Sequence, residues 1–275
     1  MFRLLKIDLH KIWFNKPSRN LTIFSLLLPF GLILFASAEI NLNEAFNLKS
    51  NKLGLFNFPI IWQVTTYLSA LLKFLFAFVI VGVIGNEYQT NTLKQNLIDG
   101  FSKKEFIQSK FYTILLYSSI STIIVTIITL GIGLYSTTSQ PNTISVFKET
   151  SYILAYFIKL IGFFSMCLFL ALQIKRAVFA MVSIFIIYIV EWILYGFMSY
   201  NLEAHLATKI KNLFPLESMS NLIHQPFQRI AMSSFSNMKD LTYTKTPTLF
   251  ELLVPLAWTF IFMYLSYKTL KKRDL

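Results

Sequence analysis

Three ionisable residues lie inside long apolar stretches of this sequence: Lys73, Lys159 and Glu191. A charge in hydrocarbon is costly, so such residues usually pair with one another or mark a polar route through the membrane. Lys159 and Glu191 each lie 14 residues from the end of their stretch that adjoins the short Lys175-Arg176 connection, at Gln173 and Ala177, which is about 21 Å along a helix. The sequence therefore predicts a Lys159–Glu191 ion pair, which either locks two antiparallel helices together or forms part of a substrate route or gate. Lys73, about 16 Å deep, either joins this network or faces an aqueous path.

A second candidate for function is the polar segment at residues 85–110, GNEYQTNTLKQNLIDGFSKKEFIQSK, which lies between two apolar stretches. Good helix formers between Tyr88 and Ile98 predict a short helix. Gly100 can adopt the left-handed conformation that commonly ends a helix. Ser102 and Glu105 have the spacing of a capping box, which predicts that the next helix starts there.

This turn is framed by Phe101 and Phe106, which have the spacing of a hydrophobic staple. A connection between neighbouring helices needs only a few residues, and longer ordered connections are usually functional. We therefore expect the segment to be a rigid docking element for a soluble partner.

The composition indicates an integral membrane protein. Of the 275 residues, 55% are apolar and only 14% are charged, and the mean hydropathy is +0.58. A soluble domain has about 25% charged residues. Six stretches are long enough to cross about 30 Å of hydrocarbon as helices. We therefore predict one all-α transmembrane domain over residues 1–275, with spans at about 21–38, 58–84, 111–134, 152–173, 177–199 and 250–268.

The segments outside the spans have their own patterns. Residues 1–18 place apolar side chains on one helical face and basic ones on the other, which predicts an amphipathic helix in the membrane interface. Residues 36–38, Ala-Ser-Ala, resemble a signal-peptidase site. The basic region before them is unusually long, and cleavage would leave an odd number of spans, so we expect the first span to be retained. In the 200–249 loop, scattered apolar residues predict short interfacial helices.

Basic residues set the orientation. Fifteen Lys and Arg residues fall in one set of alternate segments and eight fall in the other, which is longer in total. By the positive-inside rule, both termini and residues 86–104 are then cytoplasmic, and the 200–249 loop is external. The same rule explains the net charge of +12 without a nucleic-acid partner.

The polar segment also carries a family resemblance. Its pattern is E-Y-x-x-x-T-x-K-x-x-x-x-x-G-x-S-K-x-x-F-x-x-x-K, and this resembles the motif between the second and third spans of ABC-2 type transporter permeases. The chain is most similar to bacterial permeases encoded separately from their ATPase, including the lantibiotic-immunity-like permeases. The residues that carry the pattern are Glu87, Tyr88, Thr92, Lys94, Gly100, Ser102, Lys103, Phe106 and Lys110.

The resemblance implies an ABC-2 (type V) exporter-like fold and a half-transporter in the bacterial cytoplasmic (inner) membrane. Two permease chains, identical or sister, would form the translocation path for a hydrophobic or peptide-like substrate. Each would bind a separate ABC ATPase through residues 88–99 as a coupling helix, with Leu93, Leu97 and Ile98 on its apolar side. This chain has no Gly-x-x-x-x-Gly-Lys-Ser/Thr, so it binds no cofactor itself, and ATP and magnesium would belong to the partner.

Three other classes of protein are alternatives. An intramembrane enzyme is disfavoured because His10, His205 and His224 all lie outside the spans, and no metal site is expected from them. An ion-coupled secondary transporter usually has internal repeats and broken spans, which the sequence does not reveal, although the charges inside the spans keep this class open. The third alternative is a membrane scaffold or sensor that does not transport.

Overall fold

The architecture comes from a computed structural model, which describes residues 2–37, 40–41, 47–48, 55–98, 100–137, 146–226 and 246–273. Within these ranges, six helices are long and apolar enough to cross a membrane, which confirms the predicted all-helical, multi-pass class. A two-residue antiparallel pairing between Ile40–Asn41 and Asn47–Leu48 lies after the first of them. In chain order, the helices are span 1 (Lys16–Ser37), span 2 (Ile61–Gln89), span 3 (Lys103–Ser136), span 4 (Ser151–Ile174), span 5 (Ala177–Asn201) and span 6 (Leu249–Lys271).

Span 3 shows why the predicted limits were too narrow. It was expected at 111–134, but the helix begins at Lys103 and contains 34 residues. At 1.5 Å per residue it is about 51 Å long, well beyond the 30 Å of hydrocarbon. Its first turns therefore extend past the apolar layer as a polar helix.

Span 2 is broken where one continuous helix was predicted. Its two parts are Ile61–Leu71 and Lys73–Gln89. At the break, Leu72 has φ −88° and ψ 1°, and its N–H donates to the Ser69 carbonyl three residues back at 3.2 Å. This tighter turn interrupts the helix and makes Lys73 the first residue of its second part.

Span 4 is the centre of the bundle. In its most apolar part, 78% of the residues are buried inside the protein, compared with 17% in span 1 and 22% in span 5. It packs against both parts of span 2 and against spans 3, 5 and 6. The other spans therefore expose wide apolar faces, as expected of helices that contact lipid.

Four shorter helices complete the described chain. The amphipathic helix (Phe2–Phe14) packs against spans 1, 2 and 3, and the turn helix (Thr92–Ile98) follows span 2. Ala204–Lys211 and the wedge helix (Pro215–Asn221) follow span 5. The predicted amphipathic helix at residues 1–18 is thus present but ends at Phe14. The wedge helix packs against spans 4, 5 and 6.

The N- and C-terminal parts of the chain meet at the same end of the bundle. Lys11 of the amphipathic helix contacts Glu87 at the end of span 2, at 2.9 Å. Lys103 Nζ donates to the Arg273 carbonyl at 2.7 Å. We call this the motif end, because it holds the 87–110 segment, and the opposite one the far end.

Candidate functional site at the motif end

The turn between the turn helix and span 3 is built as predicted. Gly100 has a φ of +97°, and the Phe101 N–H donates to the Asn96 carbonyl at 3.1 Å, which closes the end of the turn helix. The Glu105 N–H donates to Ser102 Oγ at 3.2 Å, and the Ser102 N–H donates to Glu105 Oε2 at 2.9 Å. This confirms the capping box and fixes where span 3 starts.

The predicted limits of the helix before this turn were wrong. Tyr88 and Gln89 belong to span 2, and the turn helix runs only from Thr92 to Ile98. The Thr90 hydroxyl donates to the Asn86 carbonyl at 2.8 Å, and Asn91 adopts a φ of +55°, so span 2 ends before the turn helix begins. Local hydroxyl bonds of this kind compete with helix continuation, which the helix formers alone did not reveal.

The turn helix presents only part of its predicted docking surface. Leu93 is 1% exposed and packs in the core of the bundle, so it anchors the helix and is not accessible to a partner. Ile98 is 84% exposed, and Lys94 is exposed beside it. Thr92 lies at the start of the helix, with its hydroxyl 3.1 Å from that of Thr90. Leu97 lies in the same helix.

A buried charged network lies under this surface. Lys110 Nζ contacts Asp8 Oδ1 at 2.7 Å and Glu87 Oε1 at 2.8 Å. Lys11 Nζ contacts the same Glu87 oxygen at 2.9 Å, and the Ser109 hydroxyl donates to Asp8 Oδ2. These residues come from the amphipathic helix, span 2 and span 3. The network therefore joins three separate elements, about 10 Å along span 3 from its first residue.

The energetics of this network make it rigid. The side chains of Lys110, Asp8 and Glu87 are each at most 7% exposed. Removing one partner of a buried ion pair costs about 3–5 kcal/mol, so separating the three elements is unfavourable. Lys110 Nζ also lies 5.1 Å from the ring centre of Phe106, which is buried. Phe106 therefore packs inside the protein.

Sequence reasoning missed Asp8, although the sequence contains a signal for it. Leu5, Leu9 and Ile12 follow one apolar stripe of the amphipathic helix, and Asp8 lies on that stripe at helical spacing from Leu5 and Ile12. A carboxylate on an apolar face needs a buried cation. Lys110, 102 residues away, supplies that cation.

The C-terminal segment ties Tyr88 and span 4 to the same site. The Arg273 guanidinium donates to the Tyr88 hydroxyl at 2.8 Å. It also donates to the Leu172 carbonyl at 2.6 Å and to the Gln173 carbonyl at 3.0 Å, at the end of span 4. A cation is favourable there because the last carbonyls of a helix lack partners inside it. Lys103 donates to the Arg273 carbonyl in turn.

The predicted Lys159–Glu191 ion pair is wrong. The carboxylate of Glu191 accepts the Leu216 N–H at 2.9 Å and the Glu217 N–H at 3.0 Å, at the start of the wedge helix. Lys159 Nζ donates to the Ser220 carbonyl at 3.3 Å, near the end of the same helix. The wedge helix therefore lies between the two charges. An acid at a helix N-terminus and a base at its C-terminus both match the helix dipole.

The wedge helix is packed closely among the spans. A Cβ at Gly162 of span 4 would lie 3.0 Å from the terminal carbon of Met219, so glycine lets the wedge helix approach. Trp258 of span 6 donates to the Leu213 carbonyl just before it, at 2.8 Å. Gln63 of span 2 donates to the His224 carbonyl just after it, at 3.0 Å. The expectation of short helices in the 200–249 loop is thus met in the described part, and residues 227–245 lie outside it.

Lys73 is separate from the Glu191 carboxylate. Its Nζ lies 4.3 Å from the ring centre of Phe163 in span 4 and 5.7 Å from that of Phe74. No ion pair within the described ranges includes it.

The histidines do not gather into a metal centre. His205 is exposed in Ala204–Lys211, and the His10 ring lies 4.0 Å from the ring of Phe14. Across the residues with described positions, no three His, Cys, Asp or Glu side chains come close enough to hold a metal ion.

Comparison with known proteins yields one family. The model of a family described as protein of unknown function (DUF2705) matches residues 23–275. No curated protein matches the chain.

Proposed function

The chain belongs to the DUF2705 family, and we propose that it is the membrane-spanning permease subunit of an ABC transporter of the ABC-2 type. In this role, two permease chains form a translocation path, and each binds a separate ABC ATPase at its motif end. ATP and magnesium are held by the ATPase. The chain lies in a bacterial inner membrane with both termini in the cytoplasm, and exports a hydrophobic or peptide-like substrate.

The observation that carries this proposal is the rigid connection between the turn helix and the spans. A partner that pushes on the turn helix acts on a short element closed at one end by the Gly100 turn and anchored by the buried Leu93. The buried contacts of Lys110 join the amphipathic helix, span 2 and span 3. Such an arrangement passes a displacement to several spans together, which is what coupling to a soluble motor requires.

Surface chemistry at the motif end also supports a protein partner. Ile98 is 84% exposed on the turn helix, which lies in the chain between the end of span 2 and the polar first turn of span 3. Lys94 and Lys104 are exposed on either side of it. An exposed apolar residue with exposed lysines before and after it in the chain is suited to a groove with an acidic rim on a soluble protein.

Co-purification tests the proposal. The tagged chain is extracted from its native membrane, and the proteins that accompany it are identified and quantified. We expect an ABC ATPase in a stoichiometric amount with the wild type and a loss of about tenfold or more with Ile98→Asp, because a carboxylate at the centre of an apolar contact is desolvated without a partner.

Ile210→Asp is the matched control. Ile210 is also an exposed isoleucine on a short helix, but it lies in Ala204–Lys211, which follows span 5 on the far side of the bundle. The ATPase should remain bound to this variant. A wild-type chain that arrives without any ATPase would refute the proposal and favour an ion-coupled secondary transporter or a membrane scaffold. Equal loss with both variants would show that Ile98 is not a docking residue.

A further inference from the structure

A cavity of about 400 Å³ lies between the amphipathic helix and spans 1, 2 and 3. Six residues of the amphipathic helix, two of span 1, one of span 2 and four of span 3 line it. The rings of Phe76 and Tyr117 form its inner wall; both are buried, and their ring centres lie 3.3 Å apart. The volume falls in the range of about 300–1,000 Å³ that is usual for ligand sites. Because protein interiors are close-packed, an apolar space of this size indicates an occupant.

The amphipathic helix turns an exposed face to this cavity. Four of its lining residues recur at helical spacing and therefore share one face, namely Lys6, Leu9, His10 and Trp13. Lys6, His10 and Trp13 are exposed although they line the cavity. The cavity is therefore open along this helix, and a ligand can reach it from outside the bundle.

On the side of span 3, the cavity is elongated. The lining residues there follow one face of the helix over two turns, namely Thr113, Leu116, Tyr117 and Ile120. The distance from the first to the last is about 10 Å along the helix axis, and one leaflet of the hydrocarbon layer is about 15 Å thick. A groove that runs along a span for much of one leaflet has the shape of an extended acyl chain.

The cavity joins the outer apolar surface of the bundle. Ile120, the last lining residue of span 3, is itself exposed. On span 1, the lining residue Leu26 is followed by Leu27, which is 59% exposed. Apolar surfaces of this kind on the spans contact lipid in a membrane. Bilayer lipid is therefore in direct contact with the opening of the cavity.

The charges at the cavity favour an anionic lipid over a neutral one. Lys6 lines the cavity, and the guanidinium carbon of Arg19 lies 6.0 Å from the ring centre of Trp13, which also lines it. The ion pairs among the described residues involve neither of these two cations. No Asp or Glu is among the described residues that line the cavity. Amphipathic interfacial helices bind anionic lipids by this combination of apolar contact and positive charge.

We propose that the cavity binds one anionic phospholipid of the bilayer, with an acyl chain between the amphipathic helix and span 3 and its phosphate beside Lys6. Ile12 and Thr113 line both this cavity and a smaller one beside Asp8 and Lys110. The bound chain therefore supports the amphipathic helix next to the charged network of the motif end. Lipid binding of this kind goes beyond the permease role and does not depend on it.

Native mass spectrometry of the purified full chain in detergent micelles measures the binding. Dioleoyl phosphatidylglycerol is the anionic probe, and dioleoyl phosphatidylcholine is its zwitterionic counterpart. We expect phosphatidylglycerol to bind about tenfold more tightly, because each nearby Lys or Arg favours an anionic lipid by about fivefold. Lys6→Gln should reduce this preference about fivefold. Lys209→Gln is the matched control, since Lys209 is an exposed lysine in Ala204–Lys211, and it should retain the preference. Equal binding of the two lipids by the wild type would overturn the proposal.

A second variant tests the position of the acyl chain. Ile120→Trp fills the outer end of the cavity, so both lipids should bind about fivefold or more weakly because the chain loses van der Waals contacts there. Ile127→Trp is the control, because Ile127 is an exposed isoleucine of the same span that does not line the cavity. Unchanged binding of both lipids by a folded Ile120→Trp would overturn the proposal. Should Ile120→Trp fail to fold, Lys6→Gln decides the question, since it changes only an exposed side chain.

Two further measurements separate the lipid from other occupants. Glycerol phosphate carries the charge of the head group without a tail, and displacement of phosphatidylglycerol by it would show that the acyl chain is not bound. A dimer fraction that falls in Ile120→Trp while lipid binding stays unchanged would assign the cavity to a second copy of this chain. Either result would overturn the proposal. The measurement contains no ATPase, so its outcome is independent of the permease role.

Discussion

Glu191 and Lys159 hold opposite ends of one short helix and do not contact each other. The Glu191 carboxylate accepts two N–H groups at the start of Pro215–Asn221, and the Lys159 ammonium donates to a carbonyl near its end. Glu191 therefore satisfies N–H groups that the helix leaves without partners, and Lys159 adds a charged donor to a carbonyl that also accepts the Ile223 N–H at 3.4 Å. The two residues act together as a clamp on the wedge helix, which makes that helix a part of the transmembrane bundle.

Glu191→Gln should loosen the wedge helix. The glutamine amide has one oxygen in place of two, so it can accept fewer hydrogen bonds from the Leu216 and Glu217 N–H groups than the carboxylate does. It also carries no negative charge, so the attraction between this side chain and the positive end of the helix dipole is lost. We expect a loss of about 1–2 kcal/mol, which corresponds to roughly five- to thirtyfold faster hydrogen exchange of the 215–221 amides. Hydrogen exchange followed by mass spectrometry measures it. Glu203→Gln is the control, because the Glu203 side chain makes no capping hydrogen bond to the helix Ala204–Lys211 that follows it. Equal acceleration of the hydrogen exchange of the 215–221 amides in both variants would contradict the clamp.

Lys110→Met should destabilise the motif end strongly. It removes the cation that Asp8 and Glu87 share and leaves two carboxylates in a buried site. The expected cost is about 3–5 kcal/mol, visible as a large fall in the thermal unfolding temperature of the detergent-solubilised chain. Lys104→Met serves as the comparison, because Lys104 is an exposed lysine in the same helix. A triple change that also neutralises both acids should recover part of the loss, and unchanged unfolding of Lys110→Met would show that the network does not stabilise the fold.

Two glycines of span 3 should respond in opposite ways to the same substitution. At Gly133, a Cβ would lie 2.5 Å from the Phe58 ring, whereas at Gly131 it would meet no atom within 4 Å. Gly133→Ala should cost about 1–3 kcal/mol because the ring must move. Gly131→Ala should be neutral or stabilise the helix by up to about 1 kcal/mol. The thermal unfolding temperatures of the two variants are measured beside that of the wild type. A lower unfolding temperature for Gly131→Ala than for the wild type would contradict the prediction.

Arg273→Met should release the C-terminal segment from span 4. The Leu172 and Gln173 carbonyls and the Tyr88 hydroxyl would all lose their charged donor. We expect a loss of about 1–3 kcal/mol, together with faster hydrogen exchange around residues 172–176. Lys272→Met changes the neighbouring exposed cation and should leave the exchange unaltered. Identical exchange in both variants would mean that Arg273 does not hold this end of span 4.

Local features of the fold were readable from the sequence because their partners are close along the chain. The capping box of Ser102 and Glu105 spans three residues, and the left-handed Gly100 acts within a single turn. The six spans follow from hydropathy over some twenty residues each, since the need to satisfy every backbone group in lipid leaves the helix as the available form. These features required no knowledge of which helix packs against which.

The partners of the buried charges required the tertiary structure. Lys159 and Glu191 were predicted to pair because they lie at the same depth along two neighbouring spans. Depth does not reveal whether a third element lies between two residues. Here the wedge helix does, and its Leu216 N–H, 25 residues beyond Glu191, binds the Glu191 carboxylate. Asp8 meets Lys110 across 102 residues, and Leu93 is buried in the core although the next residue, Lys94, is exposed. The sequence by itself determined the class of fold, the number of spans and the capped turn, because these depend on local chemistry. Only the tertiary structure decided which charges meet and which side chains remain accessible, because a buried ion finds its partner by proximity in space.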